Sequence, residues 1–288
     1  MFLVFGFPGR CPGLSHFAPS GLGKILAFGF PGRCPGLSHF APLGLGKMLA
    51  FGFPGRCLGL SHFAPLGQTA ESGGGFLMTE TLDDMIRFDL GDRGISDERV
   101  LNAFRRIDRK LFVPELSLEH AYNDRALTLT HGQTISQPFM TALMTQALQL
   151  KGTERVLEIG TGSGFQTAIL SCLAKEVYTV ERVEYLATTA EDRLLDMGIK
   201  NIRYKLGDGS QGWAEKAPFD RIIFTAACPS IPATVEKQLV DGGILIAPVG
   251  PPDEQELVSI TIKDGKRIET PLGTCVFVKL IGREGYTN

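Results

Sequence analysis

A chain of 288 residues, 43% hydrophobic and 21% charged, can bury one large core or two small ones, so composition does not exclude an enzyme. Its net charge of −2, and of −6 for residues 78–288 with 24 basic against 30 acidic side chains, is the opposite of what a nucleic-acid surface carries. Six cysteines without a Cys-x-x-Cys pair point to neither a metal site nor a disulfide framework, and no apolar run approaches the roughly 20 residues of a membrane span.

The first 77 residues differ in character from the rest. FGFPGRCPGLSHFAP at 5–19 returns unchanged at 28–42, and at 51–65 with Leu58 in place of proline. Gly and Pro make up about a third of residues 1–75, too many for the strands or helices of a stacked solenoid. Near-identity at every position suggests recent tandem duplication, and the segment is expected to be disordered or not translated, with Met78 a sensible start. Two functional alternatives stand beside this: a Phe-rich self-association arm, and a weaker one, metal binding by the recurring His16, His39 and His62. The opening MFLVFGFPGR lacks a basic region and is broken at once by Gly and Pro, which argues against a secretory leader. A monomer in the cytoplasm is the expected setting.

From Met78 the pattern is globular. Leu82, Met85 and Ile86, then Val100, Leu101, Phe104 and Ile107, recur at helical spacing and predict two amphipathic helices, the second capped by Ser96 and Asp97. Pro138 disfavours helix at Gln137, so His131–Gln137 is expected to be an extended loop before a helix that begins near Phe139. Strands are predicted at Arg155–Ile159, Val177–Glu181, Asn201–Leu206, Arg221–Phe224 and Ile244–Pro248. Helices are predicted between them at Gln166–Ala174, Tyr185–Met197 and Pro232–Leu239. This alternation implies an α/β fold, a Rossmann-like, doubly wound and mostly parallel sheet. Leu257–Ile262 and Cys275–Leu280, around the turn signal Asp264-Gly265, are read as a closing antiparallel pair. The expected divisions are a helical region with acceptor loop (78–140), a cofactor-binding core (141–250) and C-terminal strands (251–288).

The turn IGTGSGF at 159–165 follows the first of these strands. A dinucleotide fingerprint requires its third glycine at position 165, where Phe165 stands, which disfavours a dehydrogenase. Glycines at 160, 162 and 164 have the tighter spacing of S-adenosylmethionine sites. Glu181 at the end of the next strand is placed to accept both ribose hydroxyls, and Asp208 at the end of the third is placed to meet the adenine edge. Carboxyl ends of adjacent strands form the crevice where open α/β sheets bind ligands.

Enzymes that methylate base amines commonly carry Asn/Asp-Pro-Pro-aromatic after the fourth strand, whereas this chain reads Thr225-Ala226-Ala227-Cys228-Pro229. The small, apolar loop and the absence of a helix-borne His-Asp pair suggest an acceptor that needs little activation. A carboxylate fits, because it is already ionised at neutral pH and its attack on a sulfonium methyl cancels opposite charges. Thr134 and Ser136, two residues apart in the extended loop, are candidates to aim it; an N-cap and turn is the plainer reading of the same residues. A small-molecule or nucleic-acid methyltransferase on the same fold remains an alternative, the second opposed by the acidic balance. A self-associating protein around a cofactor-binding domain is another.

GQTISQP, LEIGTGSGFQTAIL, GDGSQGW, APFDRIIFTAACPSIP and LVDGGILIAPVG together resemble the protein-L-isoaspartate O-methyltransferase family, over about Gly94 to Tyr286. RGISDERVLNAFRRIDRKLFVP at 93–114 resembles its N-terminal helical region. The resemblance implies repair of aged proteins by methylation of the free α-carboxyl of L-isoaspartyl residues, whose esters collapse to succinimides. By position, Ser136 matches the family's active-site serine. The acceptor set is Gln133, Thr134, Ile135, Ala226 and Ala227, and the cofactor set is Glu158, Gly160, Thr161, Gly162, Gly164, Glu181, Asp208 and Gly209. The expected partners are isoaspartyl proteins and peptides, with neither nucleic acid nor membrane. Near the C-terminus, on the segment that in the family helps form the acceptor side, F-V-P-L is replaced by Phe277-Val278-Lys279-Leu280.

Overall fold

The computed structural model describes residues 81–287, so the repeats, their histidines and the start at Met78 lie outside the described residues. The first expected helix is short: α1 (Leu82–Asp84) widens into a π-helical turn, Met85–Leu90, that buries Met85, Ile86 and Leu90. A 3-10 turn then ends at Gly94, whose φ of 100° suits glycine. Helix α2 (Glu98–Arg106) forms as expected, but Asp97 alone caps it, accepting from the Arg99 N–H at 2.8 Å, while the Ser96 N–H turns to Gln146.

Strands β1 (Leu127–Thr128) and β2 (Thr134–Ile135) pair antiparallel and shape the expected extended loop. Helix α3 (Pro138–Ala147) starts with its proline in the first turn, where the missing N–H is not needed. The α/β alternation follows: β3 (Arg155–Ile159), α4 (Phe165–Ser171), β4 (Glu176–Glu181), α5 (Glu184–Asp196), β5 (Ile202–Leu206), β6 (Phe219–Phe224), α6 (Ala233–Glu236) and β7 (Leu239–Val249). The expected helix at Pro232–Leu239 shrinks to α6, because Leu239 already pairs with Phe219 as the start of β7.

The sheet order is β5-β4-β3-β6-β7-β8-β9, with β8 (Gln255–Lys263) and β9 (Lys266–Cys275) running antiparallel at one side. The second strand of the closing pair is Lys266–Cys275, not the expected Cys275–Leu280. The two-residue turn at Asp264 and Gly265, both at positive φ, sets Lys263 opposite Lys266, so pairing begins at once. The apolar stretch that follows leaves the sheet and crosses the strand ends, bridging Lys279 to Ala227.

Apolar side chains cover both sheet faces. Phe165, at the position a dinucleotide site reserves for glycine, is 2% exposed and packs edge-on against Phe104 at 5.7 Å and tilted against Phe112 at 5.4 Å. Burying such a ring contributes about 1.5–3 kcal/mol, and it ties the glycine turn to the N-terminal helical region.

Candidate active site

The loop 131–137 reverses at His131 and Gly132, whose φ values are 58° and 69°, and closes with the Leu129 N–H donating to the Gln133 carbonyl at 2.7 Å. It is held from below by Arg109, a buried guanidinium that donates to the carbonyls of Ser136 at 2.9 Å, Arg125 at 3.1 Å and Ala121. Burial lowers the Arg109 pKa to about 10 while the neighbouring Asp124 opposes the shift, so the group stays charged at neutral pH. Asp124 also accepts from the Phe139 N–H at 2.8 Å and from Gln137 at 3.2 Å, placing a carboxylate at the N-terminus of α3. Both ends of the loop are thereby fixed.

Facing the loop is the glycine turn after β3. Gly160, Gly162 and Gly164 have φ values of 102°, 54° and 87°. A side chain at Gly162 would project into open space, so the turn leaves a free cradle there. The Glu181 carboxylate at the end of β4 accepts from the N–H groups of Gly162, Arg182 and Val183 at 2.8–2.9 Å. Three backbone donors fix its orientation against the turn.

Between loop and turn lies a cleft with two lobes. Gln133, Thr134, Ile135, Ser136, Gly160, Thr161, Gly162, Glu181 and Ala226 line the first. Gln133, Gly160, Glu181, Gly209, Ala226 and Lys279 are among those lining the second. Residues far apart in sequence, those expected at the acceptor and those expected at the cofactor, thus share one cavity. The open glycine cradle and the oriented carboxylate fit a nucleoside with a short charged tail.

Four of the assigned residues do not line the cleft. Gly164 caps α4 and packs under α5, where a Cβ would lie 3.2 Å from Leu194. Ala227 pairs through its backbone with the C-terminal segment. Asp208 accepts from Ser210 and from the Arg283 N–H at 2.8 Å; burial raises its pKa, but these hydrogen bonds outweigh burial and hold it below the usual carboxylate range. Glu158 is fully buried under the turn, where its Oε2 accepts from Thr167 at 2.6 Å and Thr179 at 2.7 Å. Thr179 in turn lies 2.6 Å from the Thr161 hydroxyl, so Glu158 reaches the cleft only through two threonines.

The Glu158 Oε1 has no hydrogen-bond partner among the described residues. The net effect raises this carboxyl from about 4.5 to about 8: desolvation raises it most, the two threonine donors lower it in part, and the charge of Glu181 raises it. Because the folded value lies above the unfolded one, the contribution to stability is full below about pH 4.5 and is lost as pH rises towards about 8. Glu158→Gln is expected to flatten this slope. Its melting temperature should be close to wild type near pH 4.5 and exceed it by several degrees near pH 8; equal shifts at both pH values would refute a buried neutral carboxyl.

Other contributors were not legible in the sequence. Thr225 donates its hydroxyl to the carbonyls of Ile159 and Gly160 at 3.0 and 2.5 Å, bracing the turn from β6. Thr141, Gln166 and Val278 line the first lobe from α3, α4 and the C-terminal segment. Arg109 carries no local sign of burial, since a basic residue in IDRKLFVP reads as solvated.

Residues 81–285 match the family model of the protein-L-isoaspartate(D-aspartate) O-methyltransferases. A protein-L-isoaspartate O-methyltransferase of Dictyoglomus thermophilum is 51% identical over 197 residues, covering 68% of this chain and 90% of that protein. One of Methanoculleus marisnigri is 48% identical over 205 residues, covering 71% and 93%. A solved protein-L-isoaspartate O-methyltransferase superimposes with a TM-score of 0.63 at 28% identity, covering 71% of this chain and 67% of its own. A Plasmodium falciparum chain described by the same activity, solved in complex with S-adenosyl-L-homocysteine, gives 0.60 at 26% identity, covering 69% and 97%.

Proposed function

The chain belongs to the protein-L-isoaspartate(D-aspartate) O-methyltransferase family, and from that membership we propose how its residues divide the work. It transfers a methyl group from S-adenosyl-L-methionine to the α-carboxyl of L-isoaspartyl residues in damaged proteins and peptides. The observation that carries the assignment of roles is the shared cleft, in which Thr134 and Ser136 face the glycine turn and Glu181.

The bound cofactor supplies a sulfonium methyl. Held by the glycine turn and Glu181, that methyl would pass to an acceptor carboxylate oxygen with the S–CH₃ electron pair left on sulfur, so no residue of the chain would have to move a proton. Ser136 donates its hydroxyl to one acceptor oxygen and leaves the other free to attack. Gln133, Thr134 and Ile135 shape the acceptor lobe with Ala226, whose small side chain leaves room for the isoaspartyl backbone, and Ala227 anchors that loop. Gly160, Thr161, Gly162, Glu181 and Gly209 hold the cofactor. Glu158, Gly164 and Asp208 support them, through Thr179, α5 and the C-terminal segment respectively. Rate enhancement rests on positioning and on water exclusion, since opposite charges cancel in the transition state.

We further infer that residues 78–288 form the catalytic domain and that the protein acts as a monomer, without nucleic acid. Among the described residues no helix is long and apolar enough to cross a membrane. The free thiols of Cys172, Cys228 and Cys275 support a reducing compartment, the cytoplasm. A protein lacking residues 1–77 should keep its transferase activity.

Methyl transfer from labelled S-adenosylmethionine to an L-isoaspartyl peptide, with its L-aspartyl counterpart as control, tests the assignment. Base-labile label is expected on the isoaspartyl peptide only, and Ser136→Ala should lower kcat/KM about 100-fold. Full activity of the variant would remove Ser136 from the chemistry.

A further inference from the structure

The segment after β9 does more than close the fold. Val278 lines the acceptor lobe and Lys279 the adjoining one, so consecutive residues of one segment line both lobes. Its course is fixed by backbone bonds on both sides of Lys279, from the Ala227 N–H to the Val278 carbonyl at 2.8 Å and from the Leu280 N–H to the Ala227 carbonyl at 2.7 Å. Lys279 itself is exposed, and its ammonium has neither ion pair nor hydrogen bond among the described residues. The carboxylate sharing that lobe, Glu181, is taken up by three backbone N–H groups. An exposed cationic residue with no ion pair among the described residues therefore lines the cleft, in the lobe that Gln133 of the acceptor loop also lines.

Resting on the isoaspartyl reading above, we propose that Lys279 is a specificity-determining residue, whose ammonium pairs with a second carboxylate of the acceptor peptide next to the isoaspartyl residue. Isoaspartyl segments with acidic neighbours are preferred over those with basic neighbours, because the latter bring a like charge to Lys279. The interaction is formed in the encounter with peptide and acts on KM. Being exposed, it is weakened by salt.

Two isoaspartyl peptides that differ only in an Asp or a Lys beside the damaged residue discriminate. At low salt the full-length protein is expected to favour the acidic peptide by about threefold to fivefold in kcat/KM, the difference residing in KM and shrinking at 0.5 M salt. Lys279→Gln should erase the preference, Lys279→Glu reverse it and Lys279→Arg retain it, with the affinity for S-adenosylmethionine, read by calorimetry, the same in all four proteins. A preference that survives in Lys279→Gln, a wild type with no preference, or a variant whose defect lies in cofactor affinity overturns the proposal. Absence of transfer to either peptide by the wild type overturns instead the isoaspartyl reading on which it rests.

Discussion

Replacing Gly160 with alanine is expected to lower methyl transfer about 100-fold and to weaken S-adenosylmethionine binding at least tenfold, while the protein stays folded. The backbone at Gly160 has a φ of 102°, where an L side chain is strained, and an added Cβ would run into the Thr225 hydroxyl. Thr225 cannot simply turn away, because that hydroxyl donates to the carbonyls of Ile159 and Gly160. The turn itself must move, and with it the Gly162 N–H that orients Glu181. Calorimetric titration of the cofactor beside the isoaspartyl assay measures both losses. The double variant Gly160→Ala/Thr225→Ala removes the collision and keeps the dihedral strain, so recovery to the level of Thr225→Ala alone would assign the defect to the collision, and a further loss beyond that level to the backbone. Wild-type binding in the single variant would show that this turn does not hold the cofactor.

Arg109→Leu is expected to cost about 3–5 kcal/mol in urea denaturation and to abolish transfer even at temperatures where the variant is folded. The substitution leaves the carbonyls of Ala121, Arg125 and Ser136 without their shared donor and deprives Asp124 of a nearby positive charge. Arg109→Lys should recover little, since a single ammonium cannot span carbonyls that a planar fork reaches from two nitrogens. Glu181 and the glycine turn are held by other bonds, so the folded fraction should still bind S-adenosylmethionine. Retained cofactor affinity with lost transfer identifies Arg109 as the support of the acceptor loop. A variant that transfers methyl groups normally would contradict that role.

The contrast between these residues shows how far the chain could be read in advance. Gly160, Gly162 and Glu181 are legible only in combination, because a glycine turn after a strand is also an ordinary tight turn and an acid at a strand end is also an ordinary solvated residue, while the two at successive strand ends mark a ligand crevice. Ser136 and Thr134 sit in an extended segment that Pro138 marks, and they do meet in one lobe of the cleft. Glu158 is adjacent to the turn in sequence yet faces Thr167 and Thr179 inside the sheet, because successive strand residues point to opposite faces and its neighbours Leu157 and Ile159 take the other one. Asp208 ends the expected strand, but its oxygens serve Ser210 and Arg283, a partner 75 residues away.

Short-range rules therefore account for the α/β alternation, the parallel core of the sheet, the glycine turn after β3, the extended loop before Pro138 and the hairpin turn at Asp264-Gly265. Period, capping, proline and glycine act within a few residues, and they leave their mark in the order of the letters. Long-range packing settled that β9 begins at Lys266, that the stretch Phe277–Leu280 leaves the sheet to cross the strand ends, and that Lys279 lines the same lobe of the cleft as Gln133. It also decided that Arg109 is buried. Each of these depends on backbone groups distant in sequence seeking partners once the sheet has formed: the carbonyls that need the Arg109 guanidinium and the Ala227 amide and carbonyl that bind the C-terminal segment have no signature in their own local residues.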